Sequence, residues 1–267
     1  MLSALNDRRR AALKVYPWFL DPSPAFTAAS RLAIGLGNPA PAENSGLTLH
    51  HTYGFPIIPA ASLRGITRRY LVDACAGYTI RTNGGEEAVP RWDQPVDAGD
   101  CFEAPSDEEV PRFFEAVSAT IRAEVPVETC TVGQLDQFLF GDQGRGGAVV
   151  FFDAWPTHAP EHGWFEPDVL TPHHPGYYAG ADTKPVANDG ESPNIIAFVV
   201  LREGAAFESP LASAPRTAAM SEDLRESCLM VAERLLLNAL DHLGIGAKTG
   251  SGYGRMTPPR NARGGYQ

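Results

Sequence analysis

Apolar residues in this chain recur in two rhythms. At helical spacing, Ser221 to Leu243 carries Leu224, Cys228, Val231, Leu235 and Ala239, widened by Leu236, Leu240 and Leu243. Glu222 and Asp223 suit the positive end of that helix dipole, and Gly244 is a natural residue just past its C-terminus. Leu63, Ile66, Tyr70 and Ala74 predict a second helix running to about Ala76, with Ser62 as its N-cap. Ser3 to Lys14, Asp107 to Glu124 and Gly133 to Leu139 predict three more. Two short, continuous apolar runs, Gly146 to Trp155 and Asn194 to Leu201, predict strands covered on both faces. Phe26 to Gly35, Leu47 to Tyr53 and Tyr253 to Thr257 read as further strands. Gly77 to Pro111, rich in Gly, Pro and acids, reads as an insertion. Pro156 to Pro193 offers few regular elements, and Pro258 to Gln267 reads as a flexible tail.

The 267 residues suffice for one large domain or two small ones. A hydrophobic share of 43% is ordinary for a soluble globular protein, and no apolar run is long enough to predict a membrane helix. Arg8, Arg9 and Arg10 are followed by no apolar h-region, which excludes a secretory signal in this stretch. Cys75, Cys101, Cys130 and Cys228 form no CxxC pair and read as free thiols in a reducing cytoplasm. The net charge of −10 repels phosphate at long range. It argues against a free-standing nucleic-acid binder. It leaves open a subunit with a local basic patch that relies on neighbours for the rest of its field.

The sharpest chemical signal is Leu243 to Arg255, LGIGAKTGSGYGR, in which five glycines alternate with small and polar residues. Such a loop reaches positive φ and lets backbone N–H groups approach phosphate closely. Lys248 and Arg255 supply charge, and Tyr253 offers a face for base stacking. It is no Walker A loop, because Ala247 precedes Lys248-Thr249 and a helix, not a strand, comes before. The alternative is a plain, flexible helix-to-strand connection. Arg64, Arg68 and Arg69 follow the start of a helix, where free N–H groups and the dipole favour phosphate. A solvated helix face explains them equally well. The seven histidines include the pairs His50-His51 and His173-His174. Neighbours in an extended segment point apart, and there is no HExxH or Cys/His cluster, so no metal and no cofactor is expected. A histidine could serve as general base for RNA cleavage, though no partner residue is visible. Asp153 reads as a turn cap in preference to an acid.

Four segments together resemble one family. They are GLGNPAPAENSGLTLHHTYGFPIIPAASLRG (Gly35–Gly65), FLFGDQGRGGAVVFFDAWP (Phe138–Pro156), TPHHPGYYAG with ESPNIIAFVVL (Thr171–Gly180, Glu191–Leu201), and LGIGAKTGSGYGRM (Leu243–Met256). The combination is similar to the RAMP-superfamily sixth subunit of the Cmr complex, the type III-B CRISPR RNA-guided effector. The last segment by itself resembles only the broader superfamily. The resemblance implies an α+β fold: a RAMP domain over residues 1–257, with one or two ferredoxin-like (RRM-like) antiparallel modules, packed helices and insertions. It implies a non-catalytic, RNA-binding subunit in the cytoplasm, holding guide RNA toward its 3′ end and packing on other Cmr subunits, with no membrane. Target RNA is a further possible partner. It carries RNA contact onto Gly246, Lys248, Thr249, Gly250, Gly252 and Tyr253, and puts a basic residue at Arg64. The competing reading is a metal-independent RAMP endoribonuclease that processes CRISPR transcripts, with His50 or His51 as base and Lys248 steadying the developing charge. One departure is Ala60-Ala61, where the family tends to have Gly-Ser.

Overall fold

The computed structural model describes residues 1–16, 18–36, 47–75, 132–171, 173–174, 177, 190 and 192–258. The expected helix at Asp107 to Glu124, the 77–111 insertion and the chain beyond Pro258 lie outside these residues.

Six elements form the frame: β1 (Ala25–Ala28), α2 (Ala60–Cys75), β3 (Trp155–His158), β6 (Ala206–Glu208), α4 (Glu222–His242) and β8 (Met256–Thr257). Their chain order is βαββαβ. Their spatial order is β3-β6-β1-β8, with every described neighbour antiparallel. That is one ferredoxin-like module. Helices α2 and α4 pack on each other and bury Leu63, Leu71, Leu229, Leu235 and Leu236 completely. Each fully buried leucine stabilises the fold by about 1.5–3 kcal/mol. The remaining elements are additions to this frame. Helix α1 (Leu2–Leu13) packs on β3, and α3 (Val132–Phe140) packs on α2. Strand β2 (Val149–Phe151) pairs with β7 (Leu211–Ser213), and β4 (Phe165–Leu170) pairs with β5 (Ile196–Leu201).

Helix α4 has the ends its sequence predicts. The Ser221 side chain accepts the Leu224 N–H, and Gly244 takes φ +70° just past the last turn. The run from Gly146 to Trp155 is not one strand. Val149–Phe151 serves the β7 pair and Trp155–His158 serves the main sheet, because Ala154 exchanges two backbone hydrogen bonds with Ile58 between them. Strand β5 is covered on both faces only at its C-terminal end, where Val200 and Leu201 are buried and Leu201 exchanges two backbone hydrogen bonds with Leu32. Its N-terminal half has β4 alone as a ladder partner, and Ile195 and Ile196 stay exposed. Leu47 to Tyr53 contributes an isolated bridge, Leu49 to Pro56, and a turn.

Candidate nucleic-acid interface

The glycine-rich segment links α4 to β8, and its glycines divide by what surrounds them. A Cβ on Gly254 would lie 1.9 Å from the Ile245 carbonyl oxygen, and one on Gly246 2.5 Å from that of Ala33. One on Gly244 would lie 2.7 Å from the Gly254 carbonyl oxygen. All three have positive φ, so these positions admit little but glycine. They let the two limbs of the loop and the Ala33 backbone touch, joined by Ile245 N–H to Gly254 O (2.8 Å) and Ala247 N–H to Ala33 O (2.7 Å). A Cβ on Gly250 or Gly252 would meet nothing within 4 Å, though Gly252 also takes positive φ (89°), so only Gly250 is free of both constraints.

Between them the chain makes a 3₁₀ turn, Thr249–Ser251, entered from Lys248 in the left-handed region (φ 61°). The turn is closed by Ser251 and Tyr253 N–H to Lys248 O and by Gly252 N–H to Thr249 O. Thr249 to Gly252 are all exposed. The amides of Thr249 and Gly250 have no hydrogen-bond partner among the described residues. They are therefore available to an anion from solvent.

The flanking side chains seat this turn on the β4–β5 ribbon. The Lys248 ammonium lies 4.9 Å from the Phe198 ring centre and 6.0 Å from that of Tyr253. The Tyr253 hydroxyl donates to Asp168 (2.5 Å), which also accepts from Arg31 (3.1 Å). Glu166 bridges Arg31 (2.5 Å) and Arg202 (2.7 Å). The Tyr253 bond holds the Asp168 carboxyl below its ordinary range and, in turn, raises the Tyr253 phenol. Arg31 and Arg202 are thus matched by Glu166 and Asp168, which leaves Lys248 and exposed Arg255 as the cations of this region outside those ion pairs. Tyr253 is not an open stacking face. Its hydroxyl is bound and its ring leans on Phe198, with centres 6.3 Å apart. Beyond Arg31 and Arg202 lies a cleft of about 410 Å³, but Glu161, Glu166 and Glu203 line it as well, which disfavours phosphate.

The arginines of α2 sit elsewhere, and they correct the helix-terminus reading. Helix α2 starts at Ala60, two residues before the expected cap. Asp153 on the β2–β3 link caps it, accepting the Ala60 N–H at 2.8 Å. The Ser62 and Leu63 amides bond Pro59 O. This terminus is already neutralised by the chain's own carboxylate. Arg68 makes a two-pronged pair with Asp136 of α3, both bonds 2.6 Å, and Asp136 is buried. Arg64 donates to the Phe140 carbonyl at the end of α3. Both guanidiniums therefore fasten α2 to α3. No described contact brings either of them to the glycine-rich turn.

His50 accepts the Thr52 and Tyr53 amides at Nδ1 and packs among Tyr53, Phe55 and Trp155. No described contact joins it to Lys248. Among the described residues, no cluster of three or more His, Cys, Asp or Glu is arranged to hold a metal, and no helix is long and apolar enough to cross a membrane. Sequence reasoning missed Arg31, Glu166, Asp168, Phe198 and Arg202. The one local trace was the Glu166–Asp168 alternation, which puts both carboxylates on one face of a strand.

Residues 25–257 match the family model described as the RAMP superfamily. The chain is 31% identical over 241 residues to the CRISPR system Cmr subunit Cmr6 of Pyrococcus furiosus, covering 86% of this chain and 66% of that one. It therefore spans just under two thirds of that relative's length. A chain in the cryo-EM structure of the Type III-B Cmr-beta bound to cognate target RNA superposes with a TM-score of 0.56. That match has 18% identity and covers 96% of this chain and 63% of that chain, and it supports the fold. The crystal structure of Cmr6 from Pyrococcus furiosus aligns over 90% of this chain and 98% of its own, at 25% identity and a TM-score of 0.46.

Proposed function

The chain belongs to the RAMP superfamily, and from that premise we propose that it is a non-catalytic, RNA-holding subunit of a type III-B CRISPR Cmr ribonucleoprotein. In this reading it corresponds to the complex's sixth subunit, grips guide RNA toward its 3′ end in the cytoplasm, and packs on neighbouring Cmr subunits. The observation that carries the reading is the exposed Thr249–Gly252 turn, with two unpartnered amides and Lys248 beside them. Amides and an ammonium bind any phosphate whatever the base, so guide sequence is left to pairing. The overall negative charge fits a subunit whose neighbours supply the remaining field. The Lys248 ammonium rests on aromatic rings, not on a carboxylate, so moving it to a phosphate breaks no ion pair. The nuclease alternative draws no support from His50, whose Nδ1 is occupied by two backbone amides.

The test is reconstitution of the complex with a Lys248→Ala, Gly250→Val chain. Guide-RNA occupancy should fall about ten-fold or more at moderate salt, since several phosphate contacts act together. Nuclease protection of the guide should shorten at the 3′ end. Unchanged occupancy and footprint would overturn the holder reading. EDTA-resistant cleavage by the lone chain, lost in His51→Ala, would replace it with the processing enzyme.

A further inference from the structure

The His50–Phe55 turn takes no part in the interface above, yet it is built to hold one aromatic ring still at the surface. His50 N–H donates to Phe55 O (2.7 Å) and Gly54 N–H to His50 O (2.8 Å). The imidazole Nδ1 receives the Thr52 amide at 3.2 Å and the Tyr53 amide at 3.4 Å. Gly54, at φ +68°, closes the loop. Within it Tyr53 lies nearly parallel to buried Phe55, at 9° and 5.7 Å between centres. His50 at 4.8 Å and Trp155 at 6.5 Å support it from the sides. Tyr53 nevertheless remains 45% exposed.

Rings on several sides fix a tyrosine's rotamer, so a flat partner can join it with little further loss of side-chain entropy. The surroundings indicate which partner. The exposed neighbours within the turn are His51, Thr52 and Gly54, and exposed Leu49 just before it is a single apolar side chain, so little hydrophobic area is offered to a protein surface. Charge nearby is cationic in part. The Arg9 guanidinium lies 4.5 Å from the Trp155 ring centre but is partly buried and donates to the Asp153 carbonyl. The solvent-facing cations on this side are therefore Arg8 of α1, which packs on β3 and also carries exposed Asp7, and Lys14 just past its end. A preset aromatic face beside cations is the composition of a single-strand nucleic-acid platform.

We propose that Tyr53 is a stacking platform for one unpaired base of the bound RNA, a contact separate from the glycine-rich turn. It rests on the RNA-holding reading. Trp155 opens β3 at one edge of the main sheet, and the glycine-rich segment leads into β8 at the opposite edge. The two contacts therefore hold different nucleotides.

The experiment uses the assembled complex with guide RNA carrying 5-iodouridine, which cross-links on illumination to a stacked aromatic ring. Adducts are mapped by mass spectrometry and normalised to bound RNA. An adduct on Tyr53 is expected, at a different nucleotide from any adduct on the glycine-rich turn, and it should persist in Lys248→Ala. Tyr53→Ala should weaken RNA affinity about ten-fold while Tyr53→Phe and Tyr53→Trp bind as the parent does. Adducts on the glycine-rich turn with none on Tyr53 would overturn the platform and leave the holder reading intact. Adducts on neither, with occupancy indifferent to Lys248→Ala, would overturn both. Loss of affinity in Tyr53→Phe would mean a hydroxyl contact in place of stacking. Loss of a neighbouring subunit from Tyr53→Ala complexes would make the ring a protein contact. Either outcome would sink the proposal.

Discussion

Two basic regions of this protein resemble each other on paper and differ in the fold. Read from the sequence, the α2 arginines and the glycine-rich turn both set cations beside backbone amides that would bind phosphate. At α2 the fold supplies its own anions: Asp153 on the helix terminus and buried Asp136 on Arg68. At the turn, the Thr249 and Gly250 amides keep no partner among the described residues, and Lys248 rests on rings. The lesson concerns competition. A cation that answers a buried carboxylate of its own chain is held by the cost of stranding that carboxylate, which a solvated phosphate cannot match.

Substitutions can break this comparison. The largest effect is expected inside the glycine-rich segment itself. Gly254→Ala forces a Cβ against the Ile245 carbonyl at positive φ and should cost about 3 kcal/mol or more, read by urea unfolding. Gly250→Ala, in open space, should leave stability within about 0.5 kcal/mol and lower only RNA retention. Equal losses of stability at both positions would erase the division between packing and binding glycines.

Next comes Arg68→Ala, which strands Asp136 and should destabilise by about 2–3 kcal/mol. RNA retention per folded molecule should not change. If retention falls while stability holds, Arg68 belongs to the interface after all. Lys248→Ala should show the reverse pattern. Losing its ring contact should cost at most about 1 kcal/mol of stability, while RNA binding weakens and its salt dependence becomes shallower by about one contact.

The smallest effect tests how the turn is seated. The Tyr253 hydroxyl, first among several causes, depresses the Asp168 carboxyl. The folded value lies below the unfolded one, so the stabilisation is present above about pH 4 and fades as pH falls through the folded value. Tyr253→Phe should move that fading upward toward pH 4, visible in carboxyl NMR titration. At neutral pH the pair is solvent-screened and the loss should be about 0.5 kcal/mol. A titration unmoved by the substitution would show that the Val169 amide and Arg31 hold Asp168 without the tyrosine.

How much of this was legible varied with how local its cause was. Helix α4, from its Ser221 cap to Gly244, was readable because caps and periodicity act within a few residues. Strand β4 was missed because its Glu, Pro and Asp carry no apolar stripe and it pairs with a single neighbour. The split between β2 and β3 was missed because one apolar run serves two sheets, a division made by Ile58. At the site, Lys248 and the exposed turn were readable as candidates. Arg31, Asp168 and Phe198 were not, since Asp168 meets Tyr253 across 85 residues of chain.

The sequence by itself determined helices α1 to α4, the glycine-rich segment between α4 and β8, and the negative charge that argues against a solitary nucleic-acid binder. Each rests on short-range sterics, capping or a plain sum of charges. Only the tertiary structure decided which cations remain for a partner. Arg68 meets Asp136 across 68 residues, and Ala60 meets Asp153 across 93. Such pairings exist only once the chain has folded, because the burial that makes an unpaired charge costly is itself a product of folding.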